Sequence, residues 1–160
     1  MDALCRDMSC SELRDLLESL HDRYNNPDFI EPDPISVPHS FSATLDREIA
    51  GFLASTIAWG NRKAIVKSAH RMMMYMDNTP TDFVRNASDK ELSHLQSYVH
   101  RTFNGQDFID FVVAMQHICR KYGSIGNLFE SSYVEHKDMA KVLSVVRREF
   151  FSAPHNVHSQ

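Results

Sequence analysis

The chain has few of the residues that would settle its chemistry by themselves. It holds three cysteines in 160 residues, Cys5, Cys10 and Cys119. An odd count without an export signal argues against a disulfide framework. Cys119 lies in an apolar helical pattern and reads as a buried thiol, while Cys5 and Cys10 read as free thiols near the start of the chain. Only five glycines are present. Gly123 and Gly126 in "YGSIGNLF" lack the Gly-Lys-Ser/Thr sequel and the preceding strand of a phosphate loop. No apolar run approaches the ~20 residues needed to span a bilayer. The first residues, "MDALCRDMSCSEL", carry early acids and no long apolar stretch, so no secretory leader is read there and the cytoplasm is the default setting. Strand alternation with hairpin turns is missing throughout.

What remains is the composition of a folded chain, 42% hydrophobic and 24% charged, long enough for one domain with an ordinary core. The net charge of −4 does not advertise a nucleic-acid binder. It is unevenly spread, however. Residues 1–46 carry ten acids and three bases, whereas residues 47–71 carry Arg47, Arg62, Lys63, Lys67 and Arg71 against Glu48 alone. A basic stripe on an acidic protein acts locally and can serve a phosphate backbone, although most such stripes are solvated helix faces.

Helical spacing recurs from end to end. Ser9 and Glu12 form a capping-box pattern ahead of the stripe Leu13, Leu16, Leu17, Leu20 and Tyr24. Four prolines in residues 27–41 predict an extended connector, pinned by Phe29, Ile30, Ile35, Val37 and Phe41. A largely buried helix follows through "TLDREIAGFLASTIAW", with Ile49, Phe52, Leu53 and Ile57 inward. Gly60 is placed to end it and Asn61 to cap the next, about 62–76, whose methionines read as deformable core filler. Thr79 is placed to cap a short helix opening at Pro80, and Ser88 with Glu91 makes a second capping box. A long helix through "QDFIDFVVAMQHICRKY" stops at Gly123, and a last one covers roughly 137–151 before a tail, 153–160, that should fray. The fold class expected is all-α, a multi-helix bundle in a single domain or domain fragment.

Candidate chemistry is sparse. His155 and His158 have i, i+3 spacing but lie in the tail, without further ligands in view, and no metal site is assigned. Asp107 suits the positive end of a helix without any catalytic role. No catalytic residue and no cofactor follow from the residue pattern. The one segment that invites a functional reading is "STIAWGNRKAI", where the single tryptophan, Trp59, precedes Gly60, Asn61, Arg62 and Lys63 at a helix junction. Trp59 as core and Trp59 as a contact surface both remain open. Arg101 and Asn104 in "HRTFNG" offer either phosphate contacts or the hydrogen bonds of a turn.

Four phrases in order, "DPISVPHSFS", "DREIAGFLASTIAWGNRKAI", "MDNTPTDFV" and "VHRTFNGQDFIDFV", resemble the N-terminal part of a bacterial family of conserved, functionally uncharacterised proteins, over about residues 12–150. That family is itself similar to helix-hairpin-helix DNA glycosylases of the endonuclease III type. "FLASTIAWGNRKAIVKSA" is similar to their helix–junction–helix segment, in which a glutamine wedges into the duplex beside a flipped base. Trp59 stands in that place here, and an indole could stack in the gap. The resemblance implies double-stranded DNA as the partner and a surface of Trp59, Gly60, Asn61, Arg62, Lys63, Lys67, Arg101 and Asn104. It also marks what is missing: no hairpin of the type "LPGVGxxTA", no "VDxH" aspartate and no four-cysteine cluster occur in the 160 residues. The expectation is a DNA-repair-like binding module, catalytically incomplete in this chain, with self-association through exposed apolar surface if it is a fragment. The competing expectation is a helical structural or interaction protein with no nucleic-acid role.

Overall fold

A computed structural model describes residues 8–155. In chain order, helices α1 (Cys10–Tyr24), α2 (Ser36–His39), α3 (Thr44–Thr56), α4 (Arg62–Tyr75), α5 (Pro80–Asn86) and α6 (Asp89–His94) precede a minimal hairpin, β1 (Val99–His100) and β2 (Phe103–Asn104). Helices α7 (Gly105–Tyr122), α8 (Ile125–His136) and α9 (Met139–Phe150) complete the chain, and two 3₁₀ turns lie at Pro27–Phe29 and Leu95–Ser97. The protein is an all-α multi-helix bundle, as its spacing predicts.

Helix α7 forms the axis of the body. It packs against α5, α8, α9 and the Leu95–Ser97 turn. Phe108, Val112, Met115 and Ile118 are almost completely buried along it. Each buried side chain of that size contributes about 1.5–3 kcal/mol of transfer free energy. From α3 come Ile49 and Leu53, and from α4 Ile65, Ala69, Met72 and Met73, so the methionine run is core apart from exposed Met74. Two aromatic groups fill the remaining space. Phe52, Phe111 and Phe150 meet with centroids 4.9–6.2 Å apart. Tyr98 touches both Phe103 and Phe108 edge-on. Burial raises the Tyr98 phenol to about 12.

Two carboxylates tie helices together. Lys121 Nζ donates to Glu149 Oε2 at 2.6 Å, tying the end of α7 to α9, and this bond keeps the Glu149 carboxyl below its usual range. The amide of Gly126 donates to Glu48, at 3.0 Å. Gly105 must be glycine for a steric reason: a Cβ there would run into the backbone of Gln96.

The structure departs from the sequence reading at several places. The proline-rich segment is not extended. Its prolines sit at the starts of turns, where a missing amide costs nothing, and the chain winds through the Pro27–Phe29 turn into α2. Val37 alone of the five proposed anchors is fully buried, and Ile35 is exposed. Thr79 does not cap α5; its hydroxyl donates back to Met76 O. Helix α8 was not anticipated. The hairpin was missed too, because two residues per strand leave no alternation to read. Helix α1 forms behind its capping box as expected, yet none of its residues is buried. Ala153 at the start of the tail is buried and His155 stacks on Phe151; residues 156–160, with His158, lie outside the described residues, as does Cys5.

Candidate nucleic-acid interface

The α3–α4 junction and the hairpin meet at one edge of the body. Helix α3 ends at Thr56, and Ile57 turns inward to complete burial, which leaves Trp59 two residues on at the surface, 44% exposed. Gly60 follows with φ +103°, a conformation that L side chains rarely adopt. Asn61 then caps α4, its side-chain oxygen accepting from the Ala64 amide at 3.1 Å.

The hairpin supplies the second half. Val99 pairs with Asn104 and His100 with Phe103, so Arg101 and Thr102 form the two-residue loop. Arg101 takes φ +57° to make that turn. Its guanidinium carbon lies 4.2 Å from the centroid of the Trp59 ring, a cation–π stack. The same guanidinium passes over Gly60 so closely that a Cβ there would collide with Nη1. Gly60 is therefore required by its backbone angle, and a side chain there would push the Arg101 guanidinium off its stack.

The hairpin is fastened to α4 from beneath. His100 Nδ1 and Ser68 Oγ are 2.7 Å apart. Arg71 donates to the Val99 carbonyl and lies 4.8 Å over the Tyr98 ring. His100 is 7% exposed, and its Nε2 finds no partner among the described residues. Burial, reinforced by Arg101 and Arg71, holds the imidazole below its ordinary range. Sequence reasoning passed over His100 and Ser68, since residues in a two-residue strand and mid-helix carry no local signal.

The cations of α4 divide into two groups. Arg62 reaches the preceding segment, 3.9 Å from Asp33 and 5.7 Å from the Phe29 ring centroid. Lys63 and Lys67 are exposed. With Arg62 and Val66 they form one wall of an open hollow of about 820 Å³, whose other wall is Asp28, Glu31 and Pro32. The structure thus brings Trp59, Gly60 and Arg101 into one contact, with Asn61 beginning the helix that carries Arg62, Lys63 and Lys67. Asn104 caps the next helix. Its side-chain oxygen accepts from the Gln106 and Asp107 amides at 2.8 and 3.1 Å, capping α7.

No group of three or more His, Cys, Asp or Glu side chains that could hold a metal occurs among the described residues. No helix among them is long and apolar enough to cross a membrane. No curated protein and no solved structure matches the chain. Nothing in these comparisons links it to the helix-hairpin-helix glycosylases. A family described as "Protein of unknown function (DUF2400)" matches residues 33–160, four-fifths of the length, and the chain belongs to that family.

Proposed function

We propose that the edge formed by Trp59, Arg101 and the first turns of α4 binds DNA, as a repair-like module that recognises a disturbed duplex without cutting it. The observation that carries this reading is an exposed indole at a helix junction, already stacked by a guanidinium and followed along the chain by the basic first turns of α4. Trp59 offers a flat face for a base, or a filler for the gap left by an extruded one, worth about 1–3 kcal/mol per stacked base. Arg101, Lys63 and Lys67 add attraction to backbone phosphates, which steers binding without reading sequence. The likeness of "FLASTIAWGNRKAIVKSA" to the glycosylase helix–junction–helix supports the same surface. A cytoplasmic setting goes with it. The reading gives this chain a binding role and assigns no catalytic residue.

The test is a fluorescence titration of Trp59 at low salt with a duplex carrying an abasic analogue and with the intact duplex. Quenching that saturates earlier with the abasic duplex, and weakens steeply as salt rises, is the expected result. Unchanged emission from a sample shown to be folded would sink the reading.

A non-enzymatic helical interaction protein is the second reading. The apolar stripe of α1, exposed along its whole length, favours it, as does the net charge of −4. On that view the Arg101–Trp59 stack simply locks the hairpin to the α3–α4 junction.

A further inference from the structure

Helix α1 has no buried residue, although Leu13, Leu16, Leu17, Leu20 and Tyr24 run along one side of it, Leu17 being 57% exposed. It also lies outside the segment that matches the family, which starts at residue 33. A soluble chain rarely presents such a stripe without a use for it.

We infer that α1 is a self-association element: two copies of this chain pair through antiparallel α1 helices related by a two-fold axis. The spacing carries the argument. Leu13, Leu17, Leu20 and Tyr24 follow one another in steps of four, three and four, the seam of a coiled coil. That series reads the same in both directions, so an identical helix laid antiparallel sets Leu13 against Tyr24 of the second copy and Leu17 against its Leu20. A contact in which the same patch serves both copies closes on itself and gives a dimer, not a fibre.

The charges agree with this pairing. Glu12 and Arg23 are about three turns apart and so lie on the same edge of the stripe. In a two-fold antiparallel pair that edge meets itself reversed, and each Glu12 comes opposite the other copy's Arg23. Glu12 Oε2 accepts from Ser9 in the helix cap, leaving Oε1 for the pair. A parallel pair would instead align the two helix dipoles the same way.

Size sets the strength. A helix of 15 residues is about 22 Å long and cannot cover the ~800 Å² per partner of a standard interface. The dimer is therefore weak and reversible, and it does not depend on the DNA reading.

The test is sedimentation velocity on the full chain from about 5 to about 500 µM, the range that brackets so small an interface. Three variants accompany it: Leu17→Lys on the seam, Arg23→Glu at its edge, and Leu143→Lys on α9 as an exposed apolar control. Because Leu17 and Arg23 touch no core, circular dichroism and Trp59 emission should match the wild type. The expected result is a concentration-dependent dimer for wild type and Leu143→Lys. It weakens at least about tenfold in Leu17→Lys and about threefold in Arg23→Glu. A monomer throughout, a dimer lost in Leu143→Lys but kept in Leu17→Lys, or association beyond the dimer would overturn the inference.

Discussion

Arg101 reaches Trp59 across 42 positions of sequence, from a hairpin loop to a helix junction, and lies 4.2 Å over the indole. Neither residue is buried, so the pair is a surface device and not part of the core. Replacing Arg101 by alanine should alter the Trp59 emission while costing only about 0.5–1 kcal/mol of stability, the scale of an exposed cation–π contact. If the surface binds DNA, the same variant weakens binding and flattens its salt dependence. Thermal melts alongside fluorescence titrations separate the two effects.

Trp59→Ala provides a sharper contrast. A fully buried tryptophan would cost about 3–5 kcal/mol on truncation. At 44% exposure the loss should stay under about 2 kcal/mol, since much of the ring is already in water. Denaturant melts decide it; a loss of the buried kind would mean that the indole is core.

Gly60→Ala should destabilise by about 1–2 kcal/mol through its left-handed backbone alone. Displacement of Arg101 from the Trp59 ring adds to this the loss of an exposed cation–π contact. In an Arg101→Ala background the added part should vanish and only the backbone cost remain. A double-mutant cycle over the two positions therefore predicts coupling; additive costs would refute the steric account.

Asp28, Glu31 and Asp33 face the basic side of α4, with Asp33 3.9 Å from Arg62. Carboxylates there compete with any phosphate backbone. Neutralising all three to Asn, Gln and Asn should raise DNA affinity at low salt by roughly tenfold and steepen the salt dependence by about 0.9 for each phosphate newly engaged. Equal affinity for wild type and the triple variant would show that the acidic wall does not shield the site.

His100 gives a pH signature. Its folded-state value is lowered, chiefly by burial. As pH falls, the unfolded chain therefore takes up this proton first. Stability should be intact above the ordinary histidine value of about 6.5 and decline as pH drops through and below it. His100→Gln should remove that part of the decline, read as the difference in Tm between variant and wild type from pH 7.5 to 5.5.

The bundle was legible where one helix face meets one core. The α4 stripe Ile65, Ala69, Met72, Met73 and Met76 was read from spacing and is buried throughout. Capping chemistry was equally clear at Ser9 and Ser88, because it is written in four consecutive residues. Helix α8 was hidden by Gly126 in its first turn. That glycine reads as a break, yet it lies within the helix and its amide donates to the Glu48 carboxylate, 78 positions away. The segment 27–41 misled for a related reason. Proline excludes helix interiors but suits first turns, and only the packing of Val37 shows which applies. Trp59, its basic neighbours and Arg101 could all be proposed from sequence, but the stacking of Arg101 on the indole depends on the left-handed turn that aims it. The capping of α7 by Asn104 was not legible, since an Asn-Gly pair at a loop end reads as a turn as easily as a cap.

The isolation of α1 also has a thermodynamic consequence. With no residue buried and the edge contact of Tyr24 on Phe29 at its end, its helicity rests largely on a capping box and local propensity, and a 15-residue helix in water is marginal on those alone. Its amides should exchange with solvent far faster than those of α7, in a separate low-energy opening. The chain then has two folding units of unequal cooperativity: a body that melts as one, and an arm whose helix–coil balance shifts gradually with temperature and with anything that grips it.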